Sequence, residues 1–323
     1  MDIDDPVHGS REIEEEILKE LLDTSPVQRL KHVNQAGPSR YLNKNAVTRF
    51  DHSVGVMLLL REFDASLQEQ IAGLLHDVPH TAFSHVADFV FDTERHEYHE
   101  RFMDKIVRDS EIPSLLEDHG FDVDHILDDE NFPLLERELP DLCADRIDYF
   151  LRDWKIVGGG DIQRMRESLG VHENRFVLSD RKVGEEYALK YVRADERWWA
   201  NPEEVAVFHV LAEALRHALE KGLMEEDDLF GTDTEVLGLL QGFDEPEIEE
   251  KLELLDKGFE VAIDPENPDF VEETKLRYVD PLVVENGEEI RVTDYSEELQ
   301  ERIDEHREFL EGGFPIRIES PEI

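Results

Sequence analysis

Leu74-Leu75-His76-Asp77-Val78-Pro79-His80 is the stretch on which the reading of this chain turns. An apolar helical run ends in an adjacent His-Asp pair, and a proline two residues later ends or kinks the helix. Neighbouring side chains on a continuous helix point about 100° apart, so His76 and Asp77 can reach one point only where the helix breaks. The sequence therefore predicts a helix over 68–76 that stops at a shared focus for an imidazole and a carboxylate.

Working outward, Arg49-Phe50-Asp51-His52-Ser53 lies upstream and Ala144-Asp145-Arg146-Ile147-Asp148 downstream. His52, His76, Asp77 and Asp145 together are four ligands of the types that hold a divalent metal. Imidazole mixed with carboxylate suits Mn, Fe, Co, Ni or Zn, with Mg a further candidate, better than Ca, whose sites are all oxygen. Any one of these histidines taken alone reads as an ordinary core or surface residue; the set of four with its flanks reads as a site. Four protein ligands leave positions for water and substrate, where the ion makes hydroxide available near neutral pH and polarises a phosphoryl oxygen. His80 and His85 follow at helical or turn spacing and are candidate general acids. Asp88, three residues after His85, is placed to orient an imidazole.

The rest of the chain reads as mainly α. Helical patterns cover 13–33 with a break at Asp23-Thr24-Ser25-Pro26, then 47–63, 82–91, 98–107 and 134–154. Phe176-Val177-Leu178 and Tyr187-Ala188-Leu189 read as the two arms of a hairpin. Helices are predicted again over 203–219, 233–240, 246–255 and 297–310, and short strands over 276–279, 282–284 and 289–292. Gly158-Gly159-Gly160 interrupts the helical pattern and suggests a division into residues 1–160 and 161–323.

Composition bounds the function. The 323 residues carry 80 Asp and Glu against 34 Lys and Arg, a net charge of -46, so a broad phosphate-binding face for nucleic acid or a membrane surface is not expected. Apolar runs such as 54–60 are too short to span a bilayer. The acidic residues are spread over amphipathic segments rather than blocked in a tail, which points to a folded, strongly hydrated surface and a cytoplasm of high salt. The acidic start, Met1-Asp2-Ile3-Asp4-Asp5, has the wrong charge for a secretory leader. Cys143, the only cysteine, reads as a small buried residue.

Six blocks carry a family resemblance. They are Asp5-Pro6-Val7-His8-Gly9, Gln28-Arg29-Leu30, Gln35-Ala36-Gly37, Arg49 through Gly55, His76 through His85, and Asp145-Arg146-Ile147-Asp148-Tyr149-Phe150. In this order, over residues 4 to 153, they resemble the HD-domain phosphohydrolases, and within them the deoxynucleoside triphosphate triphosphohydrolases. The resemblance implies a helical HD-domain catalytic core over 1–160 with a mixed helical and β region, 161–323, packed on it. It implies that His52, His76, Asp77 and Asp145 are the metal ligands, and that His80, His85 and Asp88 supply the catalytic acid and its orienting carboxylate. His99-Glu100 fits the family's His-Glu pair on the next helix, with His96-Glu97 as the alternative. Gln35 and Arg49 would contact sugar and phosphates, Arg146 a phosphate, and Tyr149 and Asp153 the sugar. A homo-oligomer is the expected assembly.

The implied reaction is hydrolysis of a small-molecule dNTP to deoxynucleoside and triphosphate, with His85 or His99 protonating the 5′ oxygen. The alternatives are hydrolysis of another nucleotide or a phosphate monoester, or a nucleotide-sensing HD protein without turnover. The chain departs from the family at Pro79, where Gly is usual, and at Thr81-Ala82, where Gly-Pro is usual. Arg197-Trp198-Trp199 through Phe208-His209 matches poorly the Tyr/Arg-rich nucleotide-contacting helix of the triphosphohydrolases, and the Trp pair reads as packing.

Overall fold

The computed structural model describes residues 1–42, 47–91 and 98–319. A hairpin of β1 (Asp2–Asp5) and β2 (Gly9–Glu12) leads into α1 (Glu16–Leu22) and α2 (Ser25–Arg29). The chain continues with α3 (Arg49–Glu62), α4 (Leu67–Leu75), α5 (Val86–Val90), α6 (Met103–Arg108), α7 (Ile112–Asp118), α8 (Val123–Ile126) and α9 (Ala144–Arg152). After α10 (Gln163–Ser168) come β3 (Leu169–His172), β4 (Arg175–Leu178), α11 (Arg181–Ala194), α12 (Pro202–Glu220), α13 (Asp233–Gly242) and α14 (Pro246–Lys257). The chain then adds β5 (Glu260–Ile263), β6 (Phe270–Glu272), β7 (Leu282–Glu285), β8 (Glu288–Arg291), α15 (Glu297–Leu310) and β9 (Phe314–Glu319). The fold is mainly α with small sheets, as the sequence predicts.

The central element is α3. Ten of its residues, from Arg49 and His52 to Leu60, are buried, so it has no solvent face and is packed by α4 and α9. Thr48 caps it, accepting from Asp51 N while the Asp51 carboxylate accepts from Thr48 N. That cap fixes the first turn, which presents Arg49 and His52. The surrounding apolar cluster joins α3, α4 and α9 to Tyr187 and Tyr191 of α11, Val283 of β7 and Leu299 of α15. A second cluster is built around α12, which packs on α5 and α14.

Three local readings are corrected. Tyr187-Ala188-Leu189 is not a strand: it lies in α11, whose Val183, Tyr187, Tyr191 and Val192 repeat at helical spacing and are buried, and which Asp180 caps. The hairpin partner of β4 is β3, in the register Leu169↔Leu178 to His172↔Arg175. Residues 134–143 are not helical. Glu69 accepts from Leu134 N and Leu135 N, and Pro140 O accepts from Asp280 N, so tertiary partners take the backbone groups a helix would use. Residues 276–279 are also irregular, although 282–285 and 288–291 pair as expected. No described helix is long and apolar enough to cross a membrane.

Candidate metal and catalytic site

Helix α4 stops at Leu75, and His76 is its C-cap. The chain then turns tightly, with Val78 N donating to Leu75 O and His80 N to Asp77 O. The break lets the adjacent side chains converge. His76 Nε2 lies 3.5 Å from Asp77 Oδ1 and 3.5 Å from Asp145 Oδ1. His52, from the first turn of α3, brings Nε2 to 2.9 Å from Asp145 Oδ1 and 3.9 Å from Asp77 Oδ2. Asp145 arrives from the first turn of α9. Four residues, two from the first turns of α3 and α9 and two from the break after α4, thus meet at one focus.

The donor set fits a divalent ion. His76 Nδ1 donates to Gly73 O at 2.8 Å, while its Nε2 is buried without a hydrogen-bond partner. The His52 and His76 ring centroids are 5.2 Å apart at 72°. With Zn–N near 2.1 Å, two imidazoles on one ion place their centroids roughly 4.5 to 5.2 Å apart. Electrostatics agree. Burial would lower His52, but Asp145, Asp148 and Asp77 raise it to about 10, the response of a cationic position among carboxylates. Burial would likewise raise Asp77, yet Arg49, His76 and His80 hold it well below the carboxylate range.

A layer behind the ligands orients them. Asp148 Oδ2 lies 2.7 Å from His52 Nδ1, which turns Nε2 toward the focus. The same carboxylate meets His8 Nε2 at 2.7 Å and accepts from Arg152 Nε and Nη2, and Arg152 also donates to Asp5. The β1–β2 hairpin is tied to His52 through this buried network. Sequence reasoning missed these roles. The signal was the Asp145-to-Asp148 spacing of one helical turn, together with a His and an Asp in the first quoted block.

Opposite the ligands, the turn after His80 carries the remaining candidates. His80 Nε2 is 3.2 Å from Asp77 Oδ1. His85 Nδ1 pairs with Asp88 Oδ2 at 3.0 Å, and Asp88 Oδ1 accepts from Tyr98 N. His99 stacks on His80 at 3.6 Å. Burial, with the nearby Arg49 and His99 charges, keeps His80 well below its ordinary value; burial and His85 bring His99 down to about 3. The alternative pair, His96-Glu97, lies outside the described residues. Phe83 and Ser84 hold left-handed backbone at φ 57° and 54°, rare for such residues. Phe83 N donates to Asp233 Oδ1, and Ser84 Oγ accepts from Arg49 Nε. Arg29 secures the same turn from below by donating to the carbonyls of Val78, His80 and Gly231.

The proposed substrate contacts are less uniformly arranged. Arg49 Nη1 alone donates to both oxygens of Asp77, at 3.1 and 3.0 Å, and its Nη2 donates to Gln35 O. Gln35 Oε1 is buried without a partner. Arg146 donates to Asp141 O, Arg137 O and Glu136. Tyr149 bonds the Tyr191 hydroxyl, and Asp153 accepts from Trp199 Nε1 at 2.8 Å. Trp199 packs on Tyr149, Phe150 and Tyr191, and Trp198 on Trp154, so the pair is packing, as expected. Cys143 is a buried free thiol, also as expected.

The HD domain family matches residues 49–153, the span that holds all four candidate ligands. A metal-dependent phosphohydrolase, cns2 of Cordyceps militaris, is 32% identical over 88% of this chain and 86% of its own. This chain belongs to the HD-domain metal-dependent phosphohydrolases. The uncharacterized YdhJ of Bacillus subtilis is 36% identical over 98% of this HD-domain chain and 99% of its own. The deoxynucleoside triphosphate triphosphohydrolase SAMHD1 of Xenopus laevis is 39% identical, over 26% of this chain and 16% of its own. A hypothetical protein from Aquifex aeolicus shares the fold with a TM-score of 0.70, 21% identity and 93% coverage of both chains.

Proposed function

We propose that this HD-domain phosphohydrolase cleaves a dNTP to deoxynucleoside and triphosphate, using the site built by His52, His76, Asp77 and Asp145. The reading rests on one observation: these four side chains from α3, α4 and α9 converge beside Arg49 and the three histidines His80, His85 and His99. Local similarity to triphosphohydrolases over the same blocks supports the substrate class. The four residues would hold an ion of the Mn, Fe, Co, Ni or Zn type, with Mg also compatible. When bound, it supplies Lewis-acid polarisation of the phosphoryl oxygen and a nucleophile at neutral pH.

The chain's own residues then do the following. Arg49, held on Asp77, has a planar fork that matches phosphate oxygens. His85 is the assigned proton donor to the 5′ oxygen, because Asp88 fixes its ring. His80 and His99 line the same wall, where a polyphosphate raises imidazole basicity by its charge. Tyr149 packs beside His52, 6.5 Å between ring centroids, and with Asp153 is assigned to the sugar. Arg146 is assigned to the phosphate tail, which requires it to leave the 136–141 loop. High-salt cytosol is the assigned setting, and a homo-oligomer the assigned assembly.

Product analysis tests the reading. Incubating a panel of dNTPs, NTPs and monophosphates with Mn2+ in molar KCl should yield deoxynucleoside and intact triphosphate, with no orthophosphate in a malachite-green assay. Asp77→Ala should lose both bound metal and turnover. Orthophosphate release instead supports hydrolysis of another nucleotide or a phosphate monoester. That second reading is favoured by the phosphohydrolase cns2, which matches along most of the chain whereas the triphosphohydrolases match a part. Nucleotide binding without any product supports the sensor.

A further inference from the structure

One wall beside the four-residue focus comes from the second half of the chain. At the end of α11 the helix widens into an i→i+5 turn over Asp195–Trp199, closed by Ala200 N donating to Asp195 O at 2.7 Å. Turns of this kind are rare and recur at functional positions. The same widening follows α9, over Asp153–Val157, and Trp199 Nε1 of one turn donates to Asp153 Oδ2 of the other. Trp199 packs 5.0 Å from the rings of both Tyr149 and Tyr191, and Tyr149 lies 6.5 Å from the His52 ring. A path along these rings therefore leads from the focus to the turn that Asp195 begins.

Arg277 is fastened to that turn. Its backbone N donates to Asp195 Oδ2 at 3.0 Å, and its Nη1 stands 3.8 Å from Asp195 Oδ1. Asp195 is fully buried, and His306 Nε2 lies 2.9 Å from its Oδ2, so the anchor is itself held. The Arg277 side chain is 21% exposed, yet its Nη1 is buried without a hydrogen-bond partner. Its charge reaches the tyrosine pair: burial pushes the Tyr149 and Tyr191 hydroxyls up, and Arg146 and Arg277 act against that rise. Of these two guanidiniums, Arg146 is committed to the carbonyls of Asp141 and Arg137 and to Glu136. Arg277 is the one that keeps a buried donor without an acceptor. Leaving such a donor unpaired is costly, and a phosphate oxygen is the acceptor that the guanidinium fork matches.

We propose that Arg277 binds the terminal phosphate of a polyphosphate substrate and makes the site favour triphosphates over monophosphates. The assignment rests on the reading that the focus holds the reacting phosphate, from which the tail runs along Tyr149. It gives the tail a cation already in place, whereas Arg146 has to leave its partners. In a chain of net charge -46, which repels polyphosphate, one such guanidinium weighs heavily on which substrates are kept.

The test compares binding of inorganic tripolyphosphate and of orthophosphate to Mn2+-loaded full-length protein, by calorimetry at one fixed KCl concentration. Arg277→Gln should weaken tripolyphosphate by at least about tenfold, the worth of a charge-assisted hydrogen bond, and orthophosphate much less. Arg277→Lys keeps the charge beside Asp195 but loses the fork; it should weaken tripolyphosphate by about threefold, and it stands in if Arg277→Gln does not fold. A purely structural role, neutralising Asp195, would lower Tm and leave the ratio of the two affinities unchanged. That result, or a wild type that does not hold tripolyphosphate more tightly than orthophosphate, overturns the proposal. Where a dNTP is turned over, KM for it should rise in Arg277→Gln more than kcat falls. Absence of dNTP turnover sinks the proposed reaction instead, and the binding ratio still decides the role of Arg277.

Discussion

Asp148 shows what a single residue does here. It touches no focus atom, yet it fixes His52 through Nδ1 and is itself fixed by His8 and Arg152. Burial would raise its pKa, but Arg152, His52 and His8 hold it well below the carboxylate range. Its folded value therefore lies below the unfolded value of about 3.9. The stabilisation is complete above that pH and disappears as pH falls through the folded value. Asp148→Asn should cost about 3 to 5 kcal/mol at pH 7, because it strands a buried Arg152, and the penalty should shrink below about pH 4. Urea melts of both proteins across pH check this, and the variant should also bind metal 10- to 100-fold more weakly, on the scale of about 10–100 known for such partners. Gly55 makes the same point from α3. A Cβ there would overlap Arg152 Nη2 and Asp148 Oδ1, so Gly55→Ala should lower both Tm and metal affinity. A Gly55→Ala protein with unchanged zinc affinity would show that the network does not position His52.

At the level of elements, the site depends on segments that are not helical. The turn between α4 and α5 holds two non-glycine residues in left-handed backbone, and Asp233 at the start of α13 restrains it by accepting from Phe83 N and from Asn34 N and Nδ2. Asp233→Ala leaves one buried donor, Phe83 N, and two part-buried donors of Asn34 without that acceptor. It should cost about 2 to 4 kcal/mol, at about 1 to 3 kcal/mol for each unsatisfied group after partial rehydration. With His80 and His85 on that turn, kcat should fall more than KM rises, which steady-state kinetics at saturating metal resolves. The sequence made α3, α4, α12, α13 and α15 legible through their cap residues Thr48, Ser66, Asn201, Thr232 and Ser296, and α14 through Pro246 and its helical apolar period. It did not reveal the hairpin partner of β4 or the irregular 134–143 stretch. Tyr187 and Leu189 are good strand formers, and only the buried spacing of Val183, Tyr187 and Tyr191 on α11 decides for helix. In 134–143 the backbone is satisfied by Glu69 and Asp280, partners remote in sequence.

For the whole molecule, the formal charge of -46 opposes compaction at low ionic strength. Much of the acid is exposed and the Debye length shortens from about 30 Å at 0.01 M salt to 3 Å at 1 M. Tm should therefore rise on going from salt-free buffer to molar KCl, a change read by scanning calorimetry; a flat Tm would mean that the surface charge is already compensated. The sequence by itself determined the helical class and the phosphohydrolase family, and it offered the candidate metal ligands in their order along the chain, because these are carried by residue type, local period and short motifs. Tertiary structure alone decided which groups support those ligands. Asp148 needs His8 from 140 residues away, and Asp233 reaches Phe83 across 150. Such contacts depend on chain-distant elements packing around α3, and no local pattern encodes them.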